Sequence, residues 1–462
     1  MKALYLLTCL FFLIASTAQG RVVYHGKQVR QLPWQESEIR PLAKTGALPD
    51  HFWPHPVGVR PMLALLVDFS DAPADFSMAA VDSLLNAPGY KRFGNKGSVR
   101  DFYLDVTGGK LDIHYLVKGY YRALKTKTYY ETKGNYAGGD ELLDEVLLAF
   151  DKDVDYSTLG TPGESAANSV AILYAGDEHD GDLWGTTSGS DLKLDGKRIG
   201  RAFWAGLGKS SMILSTNCHE MGHMLFNWPD LYNAPTATGG VGAHCLMSSY
   251  ADEYNPPPPD EALSADQGWI QVKDLQASSQ GLFTAPANSD TVYRFLNPLR
   301  SNESFFVVNR KNTGRYSSLD GKGILIFHFD MSWNENQDDA KVAVLLVAEK
   351  GKLAPPKNWA EPAHYFYREN QPEFSAAMQQ TGNAWHDGTA SGIRLYDIGP
   401  IGDNMVFSMG SISTSARGLP LAAAAGRRAA RSPAYFLANG TFVGNASSPK
   451  SRSFALHSGM DW

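Results

Sequence analysis

Apolar positions gather into runs of strand or helix length along most of the chain, and the texture of those runs changes once. Residues 60–71, RPMLALLVDFSD, form a Leu- and Val-rich run of strand length. Residues 98–121, SVRDFYLDVTGGKLDIHYLVKGYY, read as a helix, a Gly-Gly turn and an alternating strand. Helical spacing returns in DELLDEVLLAF, residues 140–150, and NSVAILYAG, residues 168–176, reads as a buried strand. Strands alternating with helices predict an α/β domain. SSMILSTNCHEMGHMLF, residues 210–226, carries enough apolar residues for a buried helix, which Pro229 ends. A Gly- and Ala-rich loop over 234–243 leads to CLMSSY, and NPPPP at 255–259 precedes a short helix in DEALSADQGWI.

From about residue 280 the runs become short, apolar or alternating, and are separated by turn residues: ESFFVVNRK, GILIFHFDM, KVAVLLVAE, GIRLYDIG, NMVFSMG. That pattern predicts a β-rich, sandwich-like domain. LPLAAAAGRRAARSP opens the last stretch as a linker, and AYFLANGTFVGN offers a small strand–turn–strand. The expected division is therefore 1–20 leader, 21–59 propeptide or arm, 60–278 catalytic domain, 279–410 β-rich domain, and 411–462 linker and tail. A chain of 462 residues has room for it.

The leader rests on Lys2 followed by the apolar ALYLLTCLFFLIA and the small or polar STAQG. This has the layout of a secretory signal and is too short to span a membrane comfortably. The expectation is a secreted protein without stable membrane association. The net charge of −6 is mild, and no basic stripe points to nucleic acid. Beyond the leader only Cys218 and Cys245 remain. Export favours a disulfide between them, two buried free thiols being the alternative.

The chemistry concentrates in CHEMGHMLFNWPD, residues 218–230. Residues four apart share a helix face, so His219 and His223 can aim two imidazoles at one ion. Glu220 lies about 100° round the helix from His219 and can act as general base toward a zinc-activated water. This is the mechanical content of an HExxH motif. A catalytic zinc usually takes a third protein ligand. No acidic residue lies between Asp230 and Asp252. Asp230 is the leading candidate, with His244 its rival and Asp252 and Glu253 behind.

HEMGH, then Asp230 in PDLY, then HCLMSSY resembles the immune-inhibitor-A family of secreted zinc metallopeptidases. LLVDFSD, SVRDFYLDVTGGKLDI, DQGWI, ESFFVVNRK, GKGILIFHFD and GNAWHDGTASGIRLYDI also resemble its segments, so the likeness covers roughly residues 60–410. It implies an α/β metzincin-like zinc protease domain, with a mixed sheet and an active-site helix, followed by the β-rich domain. It implies zinc on His219, His223 and Asp230, Glu220 as base, and Met247 beneath the site as a Met-turn. Tyr250 would be a candidate donor to the oxyanion, and proteins or peptides the substrates. Phe226 departs from the family, which carries Gly or a cysteine near that position, and VNR replaces its usual ENR. His328 and Asp330 on one strand face, with the acidic NENQDD at 334–339, read first as a solvated acidic loop, with a second cation site suited to calcium as the alternative. The competing function is a catalytically silent adhesion or carbohydrate-binding protein on a protease-derived fold, against which the intact Glu220 argues.

Overall fold

The computed structural model describes residues 21–24, 27–30, 54–160, 166–177, 181–232, 241–248, 252–331, 344–347, 364–377, 382–410, 434–436 and 442–445. The expected leader, Tyr250 and the NENQDD segment lie outside them. Met1–Gly410 forms one compact unit and Ser411–Trp462 another.

The first unit opens with a hairpin, β1 (Arg21–Tyr24) and β2 (Lys27–Arg30). A six-stranded sheet follows, in the order β4–β3–β5–β8–β6 with the two-residue β7 (Lys193–Leu194) beside β8. Its strands are β3 (Gly58–Asp68), β4 (Leu111–Arg122), β5 (Ala166–Tyr174), β6 (Thr186–Ser188) and β8 (Lys197–Gly206). β4, β3, β5 and β8 run parallel, while β6 runs antiparallel to β8, so the sheet is mixed.

Side chains alternate across a strand, and β3 shows what each face buries. Met62, Ala64 and Leu66 join one core with α1 (Met78–Asn86), α2 (Val99–Val106) and α5 (Ser215–Phe226). Leu63, Leu65 and Val67 join another with α3 (Lys127–Thr132) and α4 (Asn135–Ala149). Both faces are covered, which is why these strands read as continuous apolar runs. α2 begins where the sequence predicts it, at Ser98, whose hydroxyl accepts from the Asp101 amide in a reciprocal capping box.

α6 (Glu261–Asp266) leads into the β-rich part. Its five-stranded sheet has the order β14–β13–β12–β11–β9. The strands are β9 (Gln271–Leu275), β11 (Thr291–Leu296), β12 (Glu303–Arg310), β13 (Gly323–Asp330) and β14 (Val344–Leu346). β10 (Gly281–Pro286) and β15 (Asn404–Met409) form a separate antiparallel ribbon. One face of β12 and β13 (Phe305, Val307, Ile324, Ile326) shares a core with Ala285, Met405 and Phe407 of that ribbon. The other face (Phe306, Val308, Leu325, Phe327, Phe329) joins the core that holds the buried side of α5. The change of texture near residue 280 is thus a change of secondary structure inside one unit, and β9, from before residue 278, already belongs to the later sheet. The second unit contains a hairpin, β16 (Ala434–Phe436) and β17 (Phe442–Asn445).

Candidate metal centre

Helix α5 begins at Ser215, five residues later than the apolar pattern from 210 suggests. Its first amide is taken by the Glu253 carbonyl at 3.0 Å, which ties the helix start to a distant loop. It ends at Phe226, before Pro229 is reached, because Asn227 adopts the left-handed conformation (φ 57°) and its N–H bonds the His223 carbonyl at 3.1 Å. The chain then doubles back, fastened by the Leu231 amide on the Met247 carbonyl at 2.6 Å. Phe226, the departure from the family pattern, is an aromatic spacer in that turn. It stacks on Trp228 at 4.2 Å and on Tyr103 at 5.9 Å, with Trp269 edge-on.

This fold-back brings three ligand atoms together. His219 Nε2 and His223 Nε2 lie 3.0 Å apart, and Asp230 Oδ1 lies 3.0 and 3.1 Å from them. The other ring nitrogens are committed: His219 Nδ1 to the Leu246 carbonyl at 2.9 Å, His223 Nδ1 to the Trp228 carbonyl at 2.6 Å. A carbonyl only accepts, so each Nδ1 carries its proton, and a neutral ring then turns a bare Nε2 lone pair inward. Three acceptors therefore converge on one point. A triangle with 3 Å sides has room for at most one N–H proton, and these three atoms could hold a cation at its centre. Tetrahedral zinc, with bonds of about 2.0–2.2 Å, spaces its ligands about 3.3 Å apart, close to what is seen. With only a proton to share, the group is highly polarised. Burial opposes a charged imidazole, but Asp230 outweighs it and pushes His223 up to about 9. Burial likewise acts to raise Asp230, yet His223 and His219 hold it well below the usual carboxylate range.

Glu220 is 2% exposed. Burial pushes its carboxyl up, against the opposing pull of His223 and His219. A carboxylate poised upward in this way can accept a proton and release it again. Thr187 Oγ1 donates to its Oε2 at 3.0 Å.

Met247 packs against α5 at Gly222. A Cβ at Gly222 would meet Met247 Sδ at 2.6 Å, so a larger residue there would have to displace the methionine side chain. His244 is elsewhere: it is buried edge-on to Phe327 and Tyr365, and among the described residues neither ring nitrogen has a hydrogen-bond partner. Burial, then Arg310 and His364, hold it well below the usual histidine range. Asp252 accepts from the Tyr254 amide in a local turn, and Glu253 contributes its carbonyl to the helix start.

The disulfide expected between Cys218 and Cys245 is not formed; both are buried free thiols. Each has its own surroundings. Cys218 lies beside Tyr103 and Tyr115, and Cys245 Sγ accepts from the Met247 amide at 3.3 Å and faces Asp260.

Motif reading missed four partners. Thr187 comes from an edge strand 33 residues upstream, and Tyr232 Oη donates to Asp230 Oδ2 at 2.8 Å. The Leu246 and Trp228 carbonyls orient the two imidazoles. Tyr232, in PDLY beside the ligand, carried a local signal; the others had none.

A second histidine–carboxylate group lies on β12 and β13, where His328 and Asp330 share a face as expected. Its partners are Glu303 and His386. His328 Nε2 sits 2.8 Å from Glu303 Oε1, and His386 Nδ1 sits 3.1 Å from Asp330 Oδ2. Arg300, Asn297 and Asn302 donate to the same carboxylates.

No family model matches the chain, and no curated protein matches it. Among solved structures it is similar to metalloproteinase-II from Bacteroides fragilis, at 12% identity and a TM-score of 0.23. The alignment covers 50% of this chain and 59% of that one, so the chain spans about three fifths of that protein's length. A superposition that loose carries no argument, and the immune-inhibitor-A resemblance rests on the motifs alone. Among the described residues no helix is long and apolar enough to cross a membrane.

Proposed function

We propose that the protein is a secreted zinc-dependent endopeptidase, of the kind the immune-inhibitor-A resemblance implies. The observation that carries the reading is the triangle of His219 Nε2, His223 Nε2 and Asp230 Oδ1, three acceptors within 3.1 Å with their outer nitrogens already engaged. Two nitrogens and one oxygen suit zinc and leave a coordination position open. When bound there, zinc supplies Lewis acidity that makes water a nucleophile near neutral pH and polarises a carbonyl.

The chain's own residues do the rest. Tyr232 fixes the Asp230 carboxylate through its hydroxyl, and the two backbone carbonyls lock the imidazole tautomers. Glu220 takes a proton from the attacking water and returns it to the leaving amine. Met247 and Gly222 in contact hold the helix against the turn beneath it. The substrate class is protein or peptide.

The test is hydrolysis of casein by the mature protein, with and without chelator, beside Glu220→Gln. Activity that chelation abolishes, that zinc restores and that the variant lacks supports the reading. Wild type and variant equally inert after N-terminal processing would sink it and favour a silent binding protein.

A further inference from the structure

We infer that Thr187 is a positioning residue for Glu220: its hydroxyl, presented by the edge strand β6, sets where the carboxylate of the base points. This deepens the peptidase reading and rests on it.

Thr186, Thr187 and Ser188 pair antiparallel with Trp204, Phe203 and Ala202 of β8, and all three are buried. Successive side chains on a strand point to opposite faces. Thr186 and Ser188 turn toward α4: Asn135 Nδ2 donates to Thr186 Oγ1, and Ser188 Oγ donates to Asp140 Oδ1 at 2.6 Å. Asn135 Oδ1 also accepts from the Trp184 amide at 3.0 Å, just before the strand. Ser190 Oγ, just beyond it, donates to Asp144 Oδ1 at 2.5 Å. Helix α4 thus pins β6 along its length. Thr187, alone of the three, points to the opposite face, toward α5.

There its Oγ1 stands 3.0 Å from Glu220 Oε2 and 3.2 Å from the Glu220 main-chain carbonyl. One hydroxyl proton has two acceptors within reach. With Oε2 bare, the O–H donates to it. Glutamate has three rotatable bonds, and in a site 2% exposed an unrestrained carboxylate seeks other donors. A rigidly held strand hydroxyl removes that freedom.

The experiment compares Thr187→Val, nearly the same shape without the hydroxyl, with Thr187→Ser, which keeps it. Peptide hydrolysis gives kcat and KM separately, bound zinc is measured by elemental analysis, and a crystal structure of each variant gives the Glu220 conformation. The expected result for Thr187→Val is a fall in kcat of about ten- to a hundredfold, as for loss of an orienting partner. KM and zinc content stay at wild-type values, the Glu220 carboxylate leaves its place, and Thr187→Ser recovers most of kcat. An unchanged kcat in the Val variant overturns the inference, as does a change confined to KM. Equal damage from Val and Ser also overturns it, because packing rather than the hydroxyl would then be responsible. If the wild-type protein itself proves inert, the peptidase reading fails separately. The crystal structure still decides about Thr187: Glu220 unmoved in the Val variant refutes its positioning role.

Discussion

Two groups of buried histidines and carboxylates lie in the same compact unit, and they handle protons in opposite ways. At His219, His223 and Asp230 the Nδ1 atoms are satisfied outside the group, by carbonyls, so the contacts inside form a closed triangle of lone pairs. At Glu303, His328, Asp330 and His386 the contacts are pairwise. His328 Nε2 donates to Glu303 and His386 Nδ1 to Asp330, each N–H meeting its own carboxylate oxygen. The two rings stack face to face at 4.2 Å rather than converging edge-on. Glu303 Oε1 also takes the His386 amide at 2.6 Å, and its Oε2 takes Asn297 at 2.8 Å. In the second group the imidazole–carboxylate contacts are made in pairs, and they brace β12, β13 and the 382–390 segment. The first has the donor set to hold a cation. Residue type alone does not distinguish them; the partner of the imidazole N–H does, a main-chain carbonyl in the first group and a carboxylate of the group itself in the second.

The largest expected effect separates the two groups by activity. Glu220→Gln should lower kcat/KM by about 10²- to 10⁴-fold with zinc retained, the range for loss of a general base. Glu303→Ala should leave kcat/KM near wild type in protein that remains folded. A comparable loss of activity in both variants would break the distinction. By stability the order reverses. Glu303→Ala leaves the buried His328 N–H, the His386 amide and the Asn297 side-chain amide without their acceptor and should cost about 1–3 kcal/mol in denaturant unfolding, the usual size for buried donors left unpaired. A cost below about 1 kcal/mol, the size of a surface pair, would mean the group is not a brace.

Tyr232→Phe sharpens the account of the first group. Without the hydroxyl on Asp230 Oδ2, zinc affinity measured by chelator competition should fall by about ten- to a hundredfold. Unchanged affinity would show that the carboxylate is held by the backbone turn alone.

A smaller effect comes from His244, which belongs to neither group. Its burial keeps it neutral when folded, with its pKa depressed, whereas the unfolded chain protonates it below about pH 6.5. The unfolded state binds the extra proton, so stability is lost as pH falls below 6.5 toward the folded value, by about 1.4 kcal/mol per pH unit. His244→Phe, suited to the aromatic surroundings of Phe327 and Tyr365, should flatten that slope between pH 6.5 and 5. An unaltered slope would place the acid sensitivity elsewhere.

The sequence reveals what is local. The α2 cap, the Gly-Gly turn, the motif helix and the return of Asp230 all lie within spans that periodicity and spacing can read. Gly222 and Met247 were both visible, though not the contact between them. The start of α5 was misplaced because its first amide is satisfied by Glu253, a long-range partner with no local trace. The cysteine pair was misjudged for a related reason. The expectation of export made a disulfide reasonable, but the thiols face different neighbours, Tyr103 and Tyr115 for Cys218 and Asp260 for Cys245. The second group was half legible: β13 alternation put His328 and Asp330 on one face, while Glu303 and His386, 25 and 58 residues from His328, came from tertiary structure. Its amide and guanidinium donors, rather than a loop of free oxygens, occupy the carboxylates.

Metal content per chain tests the central claim most directly, measured on purified wild type, Asp230→Ala and Glu303→Ala after zinc loading and removal of excess ion. The account predicts one zinc in the wild type, one in folded Glu303→Ala and substantial loss in Asp230→Ala. Two zinc ions in the wild type with one lost in Glu303→Ala, or full retention in Asp230→Ala, would contradict it.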